Sequence, residues 1–133
     1  MSAGSPAARH PGDERLSGIY GTILHEDLGP GPDGPRQRNV TVFADGEVDR
    51  SPCGSGTSAR LALLHAVGGL ATGETLDHSS IVGTRFEGRV VEETEVAGVP
   101  AVVTEVGGSA HLTGHHQFVL ERDDPLGPGF LLR

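Results

Sequence analysis

A chain of 133 residues has room for one ordinary domain and its core, and none for two independent lobes. A formal charge of −8 with only ten Lys and Arg leaves no concentrated basic face for nucleic acid or an anionic membrane, and an aromatic content of 4% without Trp leaves little for base stacking. A single cysteine excludes an intrachain disulfide and a cysteine-based zinc cage; with no signal-like apolar segment and no run long enough to span a bilayer, a soluble cytoplasmic protein is expected.

Residues 1–16 are rich in Ala, Pro, Gly and Ser without periodicity and are expected to form a disordered leader, leaving 17–133 as the domain. Ile19 to Leu24 is β-rich and is followed by a Pro/Gly loop expected from Gly29 to Pro35. Asn39 to Ala44 alternates apolar and polar residues, predicting a strand closed by a tight turn at Asp45-Gly46. Ala59, Leu63, Ala66, Val67 and Leu70 recur at helical spacing, predicting a helix that begins near Thr57, buries this stripe and ends at Gly68-Gly69. Because the stripe is mostly small residues, strands are expected to wrap the helix on several sides. Further β signals lie at Ile81-Val82, Phe86–Thr94, Val99–Val106, Ala110–Thr113 and Gln117–Glu121, with a turn at Ala97-Gly98. Asp123 to Gly129 is turn chemistry, and Phe130-Leu131-Leu132 is an apolar tail in need of a packing site.

The run that carries chemistry is Asp49-Arg50-Ser51-Pro52-Cys53-Gly54-Ser55-Gly56-Thr57-Ser58-Ala59-Arg60. A thiol at a helix N-terminus feels the positive end of the helix dipole and free backbone N–H groups, both of which favour thiolate. The same N–H groups, unobstructed at Gly54 and Gly56, form a cradle for a carboxylate or phosphate. The Lys-Ser/Thr that closes a nucleotide phosphate loop is missing. Asp49, placed on the incoming strand, offers a carboxylate to an ammonium group. Thiol, anion cradle and carboxylate together describe a site for an amino acid. The bland alternative is a buried structural cysteine.

The sequence DRSPCGSGTSA, residues 49–59, resembles the second active-site signature of the proline racemase family, with Ser55 where the family usually has Thr. The likeness extends to Arg38-Asn39-Val40, Phe43-Ala44, Ser80 to Phe86, Gly108 to Gly114, Asp123-Asp124-Pro125 and Gly129-Phe130. The resemblance implies an α/β (α+β) fold, the lobe of a diaminopimelate epimerase-like protein with a curled, mostly antiparallel sheet around a central helix. It implies cofactor-independent two-base racemisation or epimerisation of proline or a hydroxyproline, with 4-hydroxyproline favoured. Cys53 would be one acid/base, Asp49 would contact the substrate amine, and the amides of Gly54 and Ser55 would hold its carboxylate. A Thr at the Cys53 position goes with trans-3-hydroxyproline dehydratase in this family, so the cysteine favours the racemase or epimerase.

Family members are longer and carry their first cysteine in an N-terminal half, in a Cys-Gly-His motif absent from this sequence. Inversion needs opposed groups on two faces, and one cysteine supplies one. The expectation is a fragment, a split half or a remnant, inactive alone, whose open side pairs with a separate N-terminal lobe or with a second copy. Two readings compete: a non-catalytic half-domain that binds carboxylates or a partner, and a cysteine hydrolase, which needs a neighbouring His. Of the seven histidines, the adjacent His115 and His116 would point to opposite faces of a strand and could not share a metal; His65 and His111 read as structural.

Overall fold

Nine residues from Pro35 to Phe43 alternate between a packed and an open face, and the strand they form lies second in a five-stranded sheet. The computed structural model describes residues 9–44 and 46–129. Its strands are β1 (Gly21–Pro30), β2 (Pro35–Phe43), β3 (Thr75–Ser80), β4 (Arg85–Val96) and β5 (Val99–Gly107), with helix α1 (Gly54–Ala66) between β2 and β3. Spatial order equals chain order: β1/β2, β3/β4 and β4/β5 pair antiparallel, while β2/β3 is parallel. A parallel pair needs a crossover, and α1 supplies it, so β2–α1–β3 is a βαβ unit inside a mostly antiparallel mixed sheet. The expected α/β class and sheet type are what the chain adopts.

α1 lies against one face of the sheet. Leu61 and Leu64 pack with Leu70, Leu76 and Val90, and Val102 and Val106 border this core. The buried helical positions are Gly56, Thr57, Leu61 and Leu64, whereas Ala59, Leu63, Ala66 and Val67 are exposed, with Leu63 52% and Val67 70% accessible. The predicted stripe is therefore the outer face of the helix, apart from Leu70, which follows the helix and is buried as expected. Both faces carry apolar residues at helical spacing, so periodicity could not choose between them; Gly88 on β4 decides, because it admits Thr57 and Leu61 to close approach. Nor does the sheet close around the helix. The helix also starts one turn earlier than expected, at Gly54, and ends at a Schellman motif in which Gly68 (φ 74) donates to the His65 carbonyl and Gly69 to that of Leu64.

Other differences have local causes. β1 continues through Gly29 and Pro30 into the expected loop because it is an edge strand with a register shift between Asp27 and Pro30. Ile81-Val82 is an exposed turn between β3 and β4, closed by Gly83 (φ 83) donating to Ser80. Ala110–Thr113 and Gln117–Glu121 form no strand, since β propensity is expressed only against a pairing edge and these segments are exposed. The turn at Ala97-Gly98 has φ 51 and 79, the two positive values a two-residue hairpin needs. Residues 9–16 form an exposed 3-10 turn at Glu14–Leu16, capped by Asp13. The first eight residues of the expected leader, Asp45 of the predicted tight turn and the apolar tail Phe130-Leu131-Leu132 lie outside the described residues.

Candidate functional site

The connection from β2 to α1 carries the chemistry. After Phe43 the chain doubles back: Val48 bridges Val42, and the Asp49 N–H donates to the Thr41 carbonyl at 3.0 Å. Asp49 thus sits just past an isolated bridge and not in a strand. Its Oδ1 accepts from the Ser51 N–H (2.8 Å) and hydroxyl (2.9 Å), and the Ser51 oxygen accepts from the Cys53 N–H at 3.1 Å. Pro52 is buried, and its carbonyl accepts from the Asn39 side-chain amide of β2 at 2.7 Å.

These contacts deliver Cys53 to the N-cap of α1 at φ 66 and ψ 120. A positive φ with extended ψ is rarely adopted by a side-chain-bearing residue and costs about 1–3 kcal/mol, sustained only where neighbours over-determine it. The first helical hydrogen bond runs from the Thr57 N–H to the Cys53 carbonyl at 2.8 Å. The N–H groups of Gly54, Ser55 and Gly56 precede it and have no intrahelical acceptor. Cys53 is 8% exposed, with its Sγ 3.6 Å from the Ser55 hydroxyl.

Cys53, Ser55, Gly56 and Ala59 border a cleft of about 250 Å³ whose opposite wall is Gly18 to Gly21 and Ile23, with Thr41 and Phe43 at its base. In a βαβ unit the carboxyl end of the strand and the N-terminus of the following helix form the usual ligand crevice, and Cys53 lies at that junction. Gly56 makes the cleft possible: a Cβ there would overlap Ile23 and lie 3.3 Å from the Cys53 sulfur. Of the expected site residues, Cys53 and Ser55 line the cleft, Gly54 adjoins it in the first helical turn, and Asp49 does not line it. Tyr20, Ile23 and Phe43 were missed as wall residues; no local motif marks them, because strand pairing brings β1 and the end of β2 to the helix.

Behind the cysteine lies a buried polar layer of Gln37, Asn39 and Thr41 on β2 and His78 and Ser80 on β3. His78 Nδ1 is 3.0 Å from the Thr57 hydroxyl, and Gln37 accepts from Arg60 Nε at 2.7 Å. Burial, reinforced by the nearby Arg60 and His25 and opposed by Asp77, pushes the His78 pKa down to about 4, so its imidazole is neutral at physiological pH. Among the other histidines, His65 is held by the Leu70 carbonyl (3.1 Å) and Glu93 (3.0 Å), the structural role expected of it. His111, His115 and His116 lie in no strand, and His116 stacks on Phe118.

The proline racemase family model matches residues 4–131. The chain belongs to the proline racemase family. It is 52% identical over 126 residues to a 3-hydroxyproline 2-epimerase of Burkholderia multivorans and 51% identical over 124 residues to a trans-3-hydroxy-L-proline dehydratase of Bacillus cereus, each match covering 93% of this chain and 36% of the relative. A crystal structure of a hydroxyproline epimerase from Agrobacterium vitis with bound trans-4-hydroxy-L-proline superposes with a TM-score of 0.77 at 39% identity, over 93% of this chain and 35% of that one. The chain therefore spans little more than a third of the length of the curated relatives it matches. No helix among the described residues is long and apolar enough to cross a membrane.

Proposed function

We propose that this chain provides half of a cofactor-independent racemase or 2-epimerase site for a proline-type amino acid, with Cys53 as one of two acid/base groups. The observation that carries the reading is the placement of Cys53 Sγ in the cleft, beside the Gly54, Ser55 and Gly56 N–H groups that precede the first helical hydrogen bond. The substrate carboxylate rests on the amides of Gly54 and Ser55. The Cys53 thiolate takes the α-proton, the C–H bonding pair spreads into that carboxylate, and the neighbouring N–H groups stabilise the charge. A second acid on the opposite face then delivers a proton to Cα, inverting the centre with no net change in composition. Asp49 is assigned to the substrate amine by the family signature alone, since it does not line the cleft and its Oδ1 already holds Ser51.

The second acid comes from the remaining part of the family fold, carried on a separate N-terminal lobe, or from a second copy in a homodimer. The outer face of α1, with Leu63 and Val67 exposed, supports a covering partner there. Without an opposing lobe over the cleft water reaches it, and the chain alone is inactive in inversion. 4-Hydroxyproline is the favoured substrate, and a reducing cytoplasm suits the lone thiol.

A dehydratase is the second reading, favoured by the 51% identity to a trans-3-hydroxy-L-proline dehydratase. The cysteine at position 53, in place of the Thr that goes with dehydration, weighs against it. Deuterium incorporation at Cα of L-proline and trans-4-hydroxy-L-proline in heavy water, with wild type and Cys53→Ser, tests the proposal. Exchange that disappears in the variant supports Cys53 as the base; equal exchange by both overturns it. Loss of water from trans-3-hydroxy-L-proline would favour the dehydratase.

A further inference from the structure

Three backbone polar groups of the two peptide units flanking Cys53 are held from separate elements. The Cys53 N–H is taken by Ser51, the Cys53 carbonyl by the Thr57 N–H, and the carbonyl before it, that of Pro52, by the Asn39 side-chain amide at 2.7 Å. The Thr57 hydroxyl also reaches the Pro52 carbonyl at 3.4 Å, and His78 Nδ1 stands 3.0 Å behind that hydroxyl. Asn39, Thr57 and His78 are at most 2% exposed, so each polar contact here is made without competition from water. The direction of the chain follows from the acceptor at its end. A Thr57 hydroxyl that donates to the Pro52 carbonyl accepts from His78 Nδ1–H, the tautomer that makes Nε2 an acceptor; Nε2 has no partner among the described residues.

We propose that Asn39 and Thr57, with His78 behind Thr57, are positioning residues that pin the Pro52 carbonyl and so hold Cys53 at positive φ with its sulfur in the cleft. Asn39 and His78 lie outside the 49–59 signature, and none of the three belongs to the apolar cluster of Leu61, Leu64, Leu70, Leu76 and Val90. Strands β2 and β3 thereby set the aim of the thiol from beneath. The catalytic half of this inference rests on Cys53 being the acid/base group; the geometric half does not.

The two halves are separable because the chain has one cysteine, so alkylation reports Cys53 alone. The full chain and its Asn39→Ala, Thr57→Val and Thr57→Ser variants, each checked for folding by circular dichroism, are alkylated with iodoacetamide across pH and assayed for Cα deuterium exchange. Asn39→Ala and Thr57→Val are expected to change the alkylation rate of Cys53 about threefold or more. Where wild type exchanges, both lower exchange about tenfold at saturating substrate with little change in KM. Thr57→Ser, which keeps the hydroxyl, restores both. An unchanged alkylation profile in Asn39→Ala and Thr57→Val, or a Thr57→Ser that behaves like Thr57→Val, overturns the proposal. A wild type without exchange counts against the reading of Cys53 only, and the alkylation profile still decides the clamp. Should Thr57→Val fail to fold, Asn39→Ala on the sheet side gives the same test.

Discussion

The Ser55 hydroxyl lies 3.6 Å from the Cys53 sulfur, two residues along the first turn of α1. This is the position at which the chain departs from the usual family signature, where Thr stands. A hydroxyl this close can donate to a thiolate, and a β-branched side chain holds such a hydroxyl in fewer rotamers. Ser55→Ala is expected to slow Cys53 alkylation near neutral pH about threefold by removing one donor to the thiolate, whereas Ser55→Thr leaves it equal or faster. Iodoacetamide kinetics on the single thiol read this directly; a Ser55→Ala rate equal to wild type would show the contact to be idle.

Gly56 and Ile23 set the width of the cleft. Gly56→Ala puts a methyl into Ile23 and against the sulfur, so β1 must shift or the helix start must unwind. A loss of about 1–3 kcal/mol is expected from overpacking, despite the better helix propensity of Ala. The double variant Gly56→Ala/Ile23→Ala should regain part of it. Urea denaturation of the single and double variants measures both effects, and additive losses would refute the contact.

His78 gives the fold a pH dependence with a definite sign. Its folded pKa of about 4 lies below the ordinary 6.5, so the unfolded chain takes up a proton that the folded chain refuses. Its contribution is fully present above pH 6.5 and is lost as pH falls towards 4, by an amount on the order of 3 kcal/mol. Thermal melts of wild type between pH 7 and 4 should fall more steeply than those of His78→Gln. Parallel slopes would mean that His78 is protonated in the folded protein.

In the core, Leu61 is fully buried between the helix and β4, where it meets Leu76 and Val90. Leu61→Ala is expected to cost about 2–5 kcal/mol through lost burial and a residual cavity. Leu63→Ala, half-exposed on the outer face, should cost under about 1 kcal/mol in the chain alone. Similar costs for the two would show that the outer face of α1 is covered, as it would be in a homodimer.

Much of the site was legible in the sequence because its parts are contiguous. Cys53, Gly54 and Ser55 fall within three residues, and their chemistry follows from standing at the start of a helix, whatever the sheet does. The signature 49–59 names the family, and the alternation of Asn39 to Phe43 and the Ala97-Gly98 turn are local enough to be read directly. Asp49 was legible as a carboxylate near the cysteine, but not as the acceptor that fixes Ser51, because hydrogen-bond partners two residues away depend on how the loop is folded.

What only the tertiary structure decided are relations between elements. Two apolar stripes of equal period run along α1, and the choice to bury Thr57, Leu61 and Leu64 was made by Gly88 on a strand some thirty residues away. Strand signals at Ala110–Thr113 and Gln117–Glu121 met no pairing edge and stayed unpaired. Asn39 and His78 sit behind the cysteine only because β2 and β3 are parallel neighbours, with Gln37 opposite His78 and Asn39 opposite Ser80. Local sequence sets which groups carry chemistry, since that depends on side-chain type and the nearest backbone; their aim and support depend on pairings between residues far apart in the chain, which a linear pattern does not encode.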